Sequence, residues 1–316
     1  MLGNLLSFLA LVALLVLFGW LTLRAWRIQR LLYKIPALLL SGLLSLVFLV
    51  VVFVAAKGLA FAYIAPGPAP DLSVAGSPDQ IARGEYLVNI ACVGCHGADG
   101  VGEFPLTGGL EFSEEIPLPI GSMRAANITP GGVLAERTDG ELFRDLRYGF
   151  SPEGRLGMMT FMPYRELSDE DTQAIIAFLR SQEPVTTASN GGDKVNLLGA
   201  ILFFGAGLVP LPDQVTGVIT APPQGATAEY GEYVATFGEC RGCHGPDMIG
   251  APATAVTTAV PNPRPFVGLI SLEEFIQTMR TGTRPNGTEL QMPWKNASQM
   301  SEEDLGALYV YLTTAP

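Results

Sequence analysis

Two stretches of eleven residues decide what this chain folds around: IACVGCHGADG at residues 90–100 and GECRGCHGPDM at residues 238–248. Each contains Cys-x-x-Cys-His followed by glycine. The two motifs hold every cysteine and histidine of the 316-residue chain: Cys92, Cys95, Cys240, Cys243, His96 and His244. Cys-x-x-Cys-His is the attachment pattern of c-type haem. The thiols bond the haem, and the adjacent imidazole becomes the proximal iron ligand. The sequence therefore predicts two covalently bound haem c groups.

A disulfide redox motif and a zinc site also use Cys-x-x-Cys. A redox motif has no need of a following histidine in both copies. Each motif offers only three zinc ligands, and a site that pooled the two motifs would leave ligands unused. Covalent haem is therefore the preferred interpretation.

The iron of each haem needs a second axial ligand, and no histidine outside the motifs can supply it. Met162 and Met292 each precede a proline and an aromatic residue. Because a methionine opposite a histidine is an established haem ligand pair, we predict Met162 and Met292 as the axial ligands. An isolated methionine more often fills a gap in a core, but this one recurs. Met158 and Met159 compete in the first copy but lack the following proline.

The two motifs lie in a repeated unit. Gly-Glu-Tyr stands near the start of each copy, at residues 84–86 and 231–233, and each copy ends in a stretch with a helical pattern of apolar residues. The helical stretches are SDEDTQAIIAFLR and SEEDLGALYVYLT, in which serine is a good N-cap. An acid three residues after each serine predicts a capping box: Ser168 with Asp171, and Ser301 with Asp304.

This order of haem motif, loops, Met-Pro and terminal helix resembles the class I cytochrome c fold in both copies. The resemblance implies one such domain at residues 79–185, the first repeat, and another at 224–316, the second repeat, joined by a connector at 186–223. The first repeat is most similar to the cytochrome subunits of membrane-bound alcohol, gluconate and aldehyde dehydrogenases, through ANITPGGVLAERTDGELFRDLRYGFSPEGR and MPYRELSDEDTQAIIAFLRSQEPV. Those subunits generally carry three haem units behind a cleaved signal, whereas this chain has two motifs behind two apolar stretches.

The N-terminal region, residues 1–64, differs in character from the rest. Its uncharged stretches at about 2–23 and 36–56 match the roughly 20 residues that a helix needs to cross a bilayer. A cleaved signal peptide would have a shorter apolar core. Four basic side chains in residues 24–35 favour a cytoplasmic loop. We expect a two-pass protein of the cell membrane whose haem domains lie on the outer, periplasmic side, after a Pro-rich tether at 65–78.

The expected fold is mainly α: two N-terminal transmembrane helices followed by two tandem class I cytochrome c domains. Charge divides the chain in the same way. Residues 1–57 carry five basic side chains and no acidic one, and the remainder carries 14 basic and 30 acidic ones. The acidic outer part offers no basic surface for nucleic acid, and it could attract a basic soluble electron carrier.

Three smaller features remain. Arg147 and Arg280 stand shortly before the predicted methionine ligands and could pair with haem propionates, although a solvated arginine at a helix end is equally consistent. NLLGAILFFGAGLVPLP, at residues 196–212, is too short an apolar run to span a bilayer comfortably. We expect it to pack on a haem domain; an interfacial or partner-contacting helix is the alternative.

These features predict an electron-transfer protein and not an enzyme. The expected partners are integral membrane subunits of a respiratory or photosynthetic quinol-oxidising complex. The alternatives are the dihaem subunit of a C-family haem–copper oxidase, the cytochrome subunit of a membrane-bound dehydrogenase, and a free tethered electron shuttle. A dihaem peroxidase fits poorly, because the chain has no spare histidine and offers a methionine at both sites. A gas-sensing role would require one methionine to be displaceable.

Overall fold

A computed structural model describes residues 2–63, 67–98, 102–116, 118–149, 157–187, 191–207, 216–253 and 258–314, without the side chains of residues 158, 161 and 163. The described residues are mainly helical, as predicted. The α-helices are α1 (Leu2–Trp26), α2 (Leu31–Ala62), α3 (Pro78–Ala91), α4 (Val93–His96), α5 (Asp139–Tyr148), α6 (Asp169–Ser181), α7 (Leu197–Gly199), α8 (Ala228–Phe237), α9 (Cys240–His244), α10 (Arg264–Val267), α11 (Leu272–Thr281) and α12 (Glu302–Thr313).

Shorter elements complete the secondary structure. Two strands that the sequence did not indicate, β1 (Gly121–Arg124) and β2 (Gly192–Val195), form a two-stranded sheet. A π-helical segment, Ala200–Gly205, continues α7. The 3-10 turns are Phe112–Glu115, Val133–Glu136, Met158–Phe161, Pro163–Glu166 and Ala297–Gln299.

The chain divides into two compact units. The first consists of Met1–Ala65, Ser113–Ser122 and Lys194–Leu211. The second, which contains both haem motifs, consists of Pro66–Phe112, Met123–Asp193 and Pro212–Pro316.

In the first unit, α1 and α2 are both long and apolar enough to cross a membrane. Many of their leucine and valine side chains are exposed, which suits a surface that faces lipid. The connection between the helices is only Arg27–Arg30, shorter than the predicted loop. The reason is that Arg24 lies in the last turn of α1 and Lys34 in the first part of α2.

The apolar segment between the repeats packs against α2. The carbonyl of Ala200 lies so close to Gly58 that any side chain there would collide with it, and Gly205 approaches Val54 in the same way. The expectation that this segment packs on a haem domain is therefore wrong for α7 and its π-helical extension. Small residues on both sides allow the helices to approach closely. Residues 208–212 lie outside the described residues.

In the second unit, the predicted tether has no regular secondary structure over residues 67–77, but it is packed along α5. The N–H of Val74 donates to the carboxylate of Asp139 at 2.9 Å. The carbonyl of Pro70 lies against Gly140, where a side chain would collide. This part of the chain is therefore held in place; the three residues before it lie outside the described part.

The same helix crossing occurs in both repeats. In the first repeat, Gly84 of α3 lies against the carbonyl of Ala174 of α6. In the second, Gly231 of α8 lies against the carbonyl of Ala307 of α12. A side chain at either glycine would collide with backbone, so the glycine of each Gly-Glu-Tyr permits the crossing.

The terminal helices α6 and α12 begin at the predicted serines, but the predicted capping boxes are incomplete. Ser168 and Ser301 accept hydrogen bonds from the N–H groups of Asp171, at 3.0 Å, and Asp304, at 3.1 Å. Neither aspartate side chain returns a bond to its serine N–H. Aspartate is shorter than the glutamate or glutamine of a full capping box, and both carboxylates bind side chains of other helices instead.

The missing half of each cap comes from a tyrosine of the other repeat. The N–H of Ser301 donates to the hydroxyl of Tyr86 at 2.9 Å, and this hydroxyl donates to Asp304. The arrangement recurs in the opposite direction, where Tyr233 accepts from the Ser168 N–H at 3.0 Å and donates to Asp171 at 2.7 Å. The tyrosine of each Gly-Glu-Tyr therefore joins the two repeats. Burial raises the pKa of Tyr86 to about 12, so its hydroxyl stays protonated at neutral pH.

Buried side chains of both repeats form one continuous hydrophobic core. Leu87 of α3, Ile176 of α6, Val234 of α8 and Leu305 of α12 are all fully buried in it. The two repeats therefore share a single interior within the second unit.

Candidate haem sites

The first motif lines a large apolar cavity. Cys92, Cys95 and His96 form part of its wall, and Met159 and Met162 form another part. Its empty volume, including the mouth open to solvent, is about 1180 Å³. Most of the remaining wall is apolar: Ile128, Val133, Leu134, Leu142, Ile175 and Leu179. Concave, mainly apolar sites with a few polar groups in the wall are typical of cofactor binding.

The imidazole of His96 is oriented for binding iron. Its Nδ1 lies 2.7 Å from the carbonyl oxygen of Ala126. A carbonyl can only accept, so Nδ1 carries the proton and Nε2 is left as the ligand atom. Burial lowers the pKa of His96, which favours the neutral form that a metal requires. The buried side chain of Asn127 donates to the carbonyl of Val185 at 2.8 Å and so fixes the segment that holds Ala126.

The second motif has the same local arrangement in a more open setting. It follows α8, and the Nδ1 of His244 lies 2.9 Å from the carbonyl oxygen of Pro261. This contact again leaves Nε2 as the ligand atom. Cys92 is buried, whereas Cys243 is exposed. Met292 is partly buried and packs against the hydrophobic core.

The segment that carries Met162 is braced by hydrogen bonds. Arg165 donates to the carbonyl of Thr160 at 2.7 Å, and the Thr160 hydroxyl donates to the carbonyl of Gly149 at 3.0 Å. Met162 and Met159 both line the cavity, so Met162 remains the predicted ligand and Met159 its competitor. The side chain of the third candidate, Met158, lies outside the described residues.

The two predicted propionate partners contact protein groups. Arg147 is buried and donates to Asp169 at 2.8 Å. Its Nε has no hydrogen-bond partner among the described residues. Arg280 donates to the carbonyl of Ser298. The propionate role of both arginines stays a prediction, since these contacts also explain them as structural residues.

Sequence reasoning missed a contact between the two sites. The hydroxyl of Tyr164, a buried residue of the first repeat, lies 2.8 Å from the carbonyl oxygen of Ala91 and also bonds the carboxyl of Glu239. Glu239 belongs to the second repeat, yet it lines the first cavity. Burial raises the pKa of Glu239 to about 8. Its backbone is left-handed, with φ of 60°, a conformation that is uncommon outside glycine.

A tyrosine hydroxyl has one proton, so it can donate to only one of these two oxygens at a time. When Tyr164 donates to the carbonyl of Ala91, its oxygen can only accept from Glu239. A protonated Glu239 supplies that hydrogen, in agreement with its raised pKa. No spacing in the sequence pairs these residues, because they lie 75 positions apart.

A covalently bound c-type haem fits the residues present. Each motif supplies two cysteine sulfurs, both histidines have Nε2 as the remaining ring nitrogen, and a methionine lies in the wall of the first cavity with His96. Cytochromes c attach haem through thioether bonds from two cysteines and bind its iron with a histidine and a methionine.

Comparison with known families agrees with this chemistry. The model of the family described as "Cytochrome C oxidase, cbb3-type, subunit III" matches residues 79–179 and 226–312. The chain belongs to this family, and its cofactor is therefore covalently bound haem c. The matched segments coincide with the two repeats.

Curated relatives are electron-transfer subunits of dehydrogenases. The cytochrome c subunit of alcohol dehydrogenase (quinone) from Gluconobacter oxydans (strain 621H) is 31% identical over 189 residues, which are 57% of this chain and 38% of the relative. The gluconate 2-dehydrogenase cytochrome c subunit of Pantoea cypripedii is 28% identical over 179 residues, 54% of this chain and 38% of the relative. The fructose dehydrogenase cytochrome subunit of Gluconobacter japonicus is 29% identical over 98 residues, 27% of this chain and 20% of the relative.

These matches confirm the resemblance to cytochrome c and to the alcohol and gluconate dehydrogenase subunits. The chain is an electron-transfer cytochrome. It spans less than half the length of the relatives it matches.

Proposed function

We propose that this chain is a membrane-anchored dihaem cytochrome c that carries single electrons within a membrane oxidoreductase complex. The observation that carries the proposal is the repeated site: two Cys-x-x-Cys-His motifs, each with its histidine Nδ1 on a backbone carbonyl and each followed by Met-Pro. When bound, haem supplies reversible one-electron chemistry.

The chain's own residues attach, orient and enclose the two haems. Cys92 and Cys95 bond the first, and Cys240 and Cys243 bond the second. His96 and His244, held by backbone carbonyls at 2.7 and 2.9 Å, would bind the two irons. Met162 and Met292 would supply the second iron ligand at each site. Arg147 and Arg280 are proposed to meet the propionates.

The second unit is proposed to hold two tandem class I cytochrome c domains, at residues 79–185 and 224–316. The repeated crossing of first and last helices, and the two segments matched by the family model, support this division. The connector, 186–223, leaves the second unit at about Lys194.

The N-terminal helices are proposed to anchor the protein as a two-pass membrane protein. Arg24, Arg27, Arg30 and Lys34 cluster where α1 meets α2, which favours that end for the cytoplasm. The haem domains then lie on the periplasmic side. Two helices exceed what an anchor needs, so we propose that they contact integral membrane subunits of the complex.

The complex itself is proposed to oxidise a quinol. A membrane-bound dehydrogenase is the second candidate, because the relatives are cytochrome subunits of alcohol, gluconate and fructose dehydrogenases. The description of the matched family names a cbb3-type oxidase, which keeps a terminal oxidase as the third.

Native membranes distinguish these partners. After mild solubilisation, a native gel is stained for haem and the co-migrating chains are identified by mass spectrometry. Quinol-oxidising subunits would support the first assignment, and dehydrogenase or oxidase subunits would replace it by the second or third. Migration alone, at the mass of a monomer or dimer, would contradict a fixed complex and indicate a tethered shuttle.

A further inference from the structure

The haem motifs of the two repeats face each other through hydrogen-bonded side chains. Ala91 and Glu239 occupy equivalent positions, each immediately before the first cysteine of a motif. The Tyr164 hydroxyl contacts both of them, through the carbonyl of Ala91 at 2.8 Å and the carboxyl of Glu239. One side chain thus links the backbone carbonyl that precedes Cys92 with the side chain of the residue that precedes Cys240.

A second contact joins the second motif to the first methionine segment. Arg241 lies between the cysteines of the second motif, and its Nη1 is 2.5 Å from the carboxylate of Glu166. Glu166 follows Met162 by four positions. Arg241 is largely covered, with 15% of its side chain exposed, whereas 42% of the Glu166 side chain is exposed, so solvent partly screens this ion pair.

The reverse contact joins the first motif to the second methionine segment. Gly94 lies between the cysteines of the first motif, and a side chain there would collide with the amide of Asn296. Asn296 follows Met292 by four positions. In both directions, therefore, the residues between the cysteines of one motif touch the residue four positions after the predicted methionine ligand of the other repeat.

From this juxtaposition we propose that Tyr164–Glu239 and Arg241–Glu166 are positioning pairs that hold the two haem-attachment motifs at a fixed separation, so that electrons pass directly between the haems. The inference rests on the proposed dihaem function and adds the residues that set the spacing.

Electron exchange between two haems depends on their separation and relative orientation. Side-chain pairs that hold the two attachment motifs together would therefore act on the exchange rate. The tyrosine caps at Ser168 and Ser301 join the repeats through the terminal helices α6 and α12. The Tyr164–Glu239 and Arg241–Glu166 pairs act at the motifs themselves, where a small shift changes the separation of the haems most.

The test compares inter-haem exchange in purified full-length protein carrying Y164F, Glu239→Ala or Glu166→Gln. Glu229→Gln, a charge change on the exposed face of α8, is the matched control. Haem content is read by intact mass, methionine ligation by the near-infrared methionine-to-iron band, and haem–haem coupling by electron paramagnetic resonance of the oxidised protein. The exchange rate is followed after flash reduction of one haem.

We expect every variant to keep two haems and both methionine bands. Exchange should slow severalfold in Y164F and Glu239→Ala and by less in Glu166→Gln, with a matching loss of spin coupling. Glu229→Gln should match the wild type. If Y164F disturbs the nearby Met162 band, the result for Glu166→Gln decides, because Glu166 lies outside both motifs.

Unchanged exchange and coupling in all three variants, with two haems retained, would overturn the positioning role and leave the dihaem function standing. A wild-type protein with fewer than two haems would overturn the proposed function and this inference together. The two failures are therefore distinguishable.

Discussion

The two repeats share one scaffold and differ in how they enclose their motif. Each crosses its first and last helices at a glycine and fixes its histidine on a backbone carbonyl. Yet Cys92 is buried beside an apolar cavity whereas the equivalent Cys240 is partly buried, and Cys95 is partly buried whereas the equivalent Cys243 is exposed. The repeated elements thus place the predicted ligands, while the surroundings of each site are set by residues that do not recur.

The buried aspartates differ in the same way. Asp171 receives two hydrogen bonds of 2.8 Å from Arg83 as well as one from Tyr233. At the equivalent position Asp304 is bonded by two tyrosines, Tyr86 and Tyr230. One carboxylate is paired with a cation, and the other relies on hydroxyl groups.

Removal of one haem should lower the free energy of unfolding more than any other change, and the loss should differ between the two haems. Replacing Cys92 and Cys95 by serine empties an enclosed apolar cavity, so we expect a loss of at least about 3 kcal/mol, as for deletion of a large buried side chain. The same change at Cys240 and Cys243 should cost less, because that site is more exposed. Thermal unfolding followed by circular dichroism, with intact mass to verify one haem in each, measures both. Equal losses would contradict the difference in enclosure.

Substitution of the glycine at either helix crossing should lower the free energy of unfolding by a similar amount. Gly84→Ala and Gly231→Ala each place a methyl group against a backbone carbonyl, and overpacking of this kind costs about 1–3 kcal/mol. Chemical denaturation measures the loss. Gly306→Ala is the matched control: no atom lies within 4 Å of the added Cβ, so it should gain up to about 1 kcal/mol in α12. A tolerated Gly84→Ala would mean that the crossing is looser than the structure shows.

Removal of the hydroxyl group should lower the free energy of unfolding by different amounts at the two cap tyrosines. Y86F leaves Asp304, which is 1% exposed, with one tyrosine donor, and we expect a loss of about 2–3 kcal/mol. Y233F leaves Asp171 with its Arg83 pair, so the loss should be about 1 kcal/mol. Urea unfolding of the two variants measures the difference. A larger loss in Y233F would show that the cation does not compensate.

The last expected effect is a pH dependence specific to the second repeat, where Glu239 replaces the alanine of the first. Burial raises the pKa of Glu239 to about 8, above the value of about 4.3 in an unfolded chain. Its contribution to stability is therefore full below about pH 4.3 and lost as the pH rises through 8.

Substitution by glutamine should remove this dependence. As the pH rises from 5 to 8.5, the unfolding temperature of Glu239→Gln should rise relative to that of the wild type. Glu229→Gln, at an exposed position, should follow the wild type throughout. A constant difference between Glu239→Gln and the wild type would show that Glu239 does not change protonation in this range.

The candidate haem-binding residues can be named from the sequence because covalent attachment demands a fixed local spacing. The terminal helices could be predicted for a similar reason, since serine caps act over three residues. The contacts between the repeats could not be predicted from the sequence. Tyr86 and Asp304 are 218 positions apart, and a tyrosine at such a position could equally well pack in a hydrophobic core. The packing of α7 on α2 could not be predicted from the sequence either, because a short apolar run can pack on any apolar surface.

The most direct test of the account is the haem content and ligation of the purified protein. Intact mass should show two haems per chain, and near-infrared spectroscopy should show two methionine-to-iron contributions. Met162→Ala and Met292→Ala should each remove one of them, whereas M159A should remove none. A single haem, or a band that survives both ligand substitutions, would contradict a dihaem cytochrome with one histidine–methionine pair in each repeat.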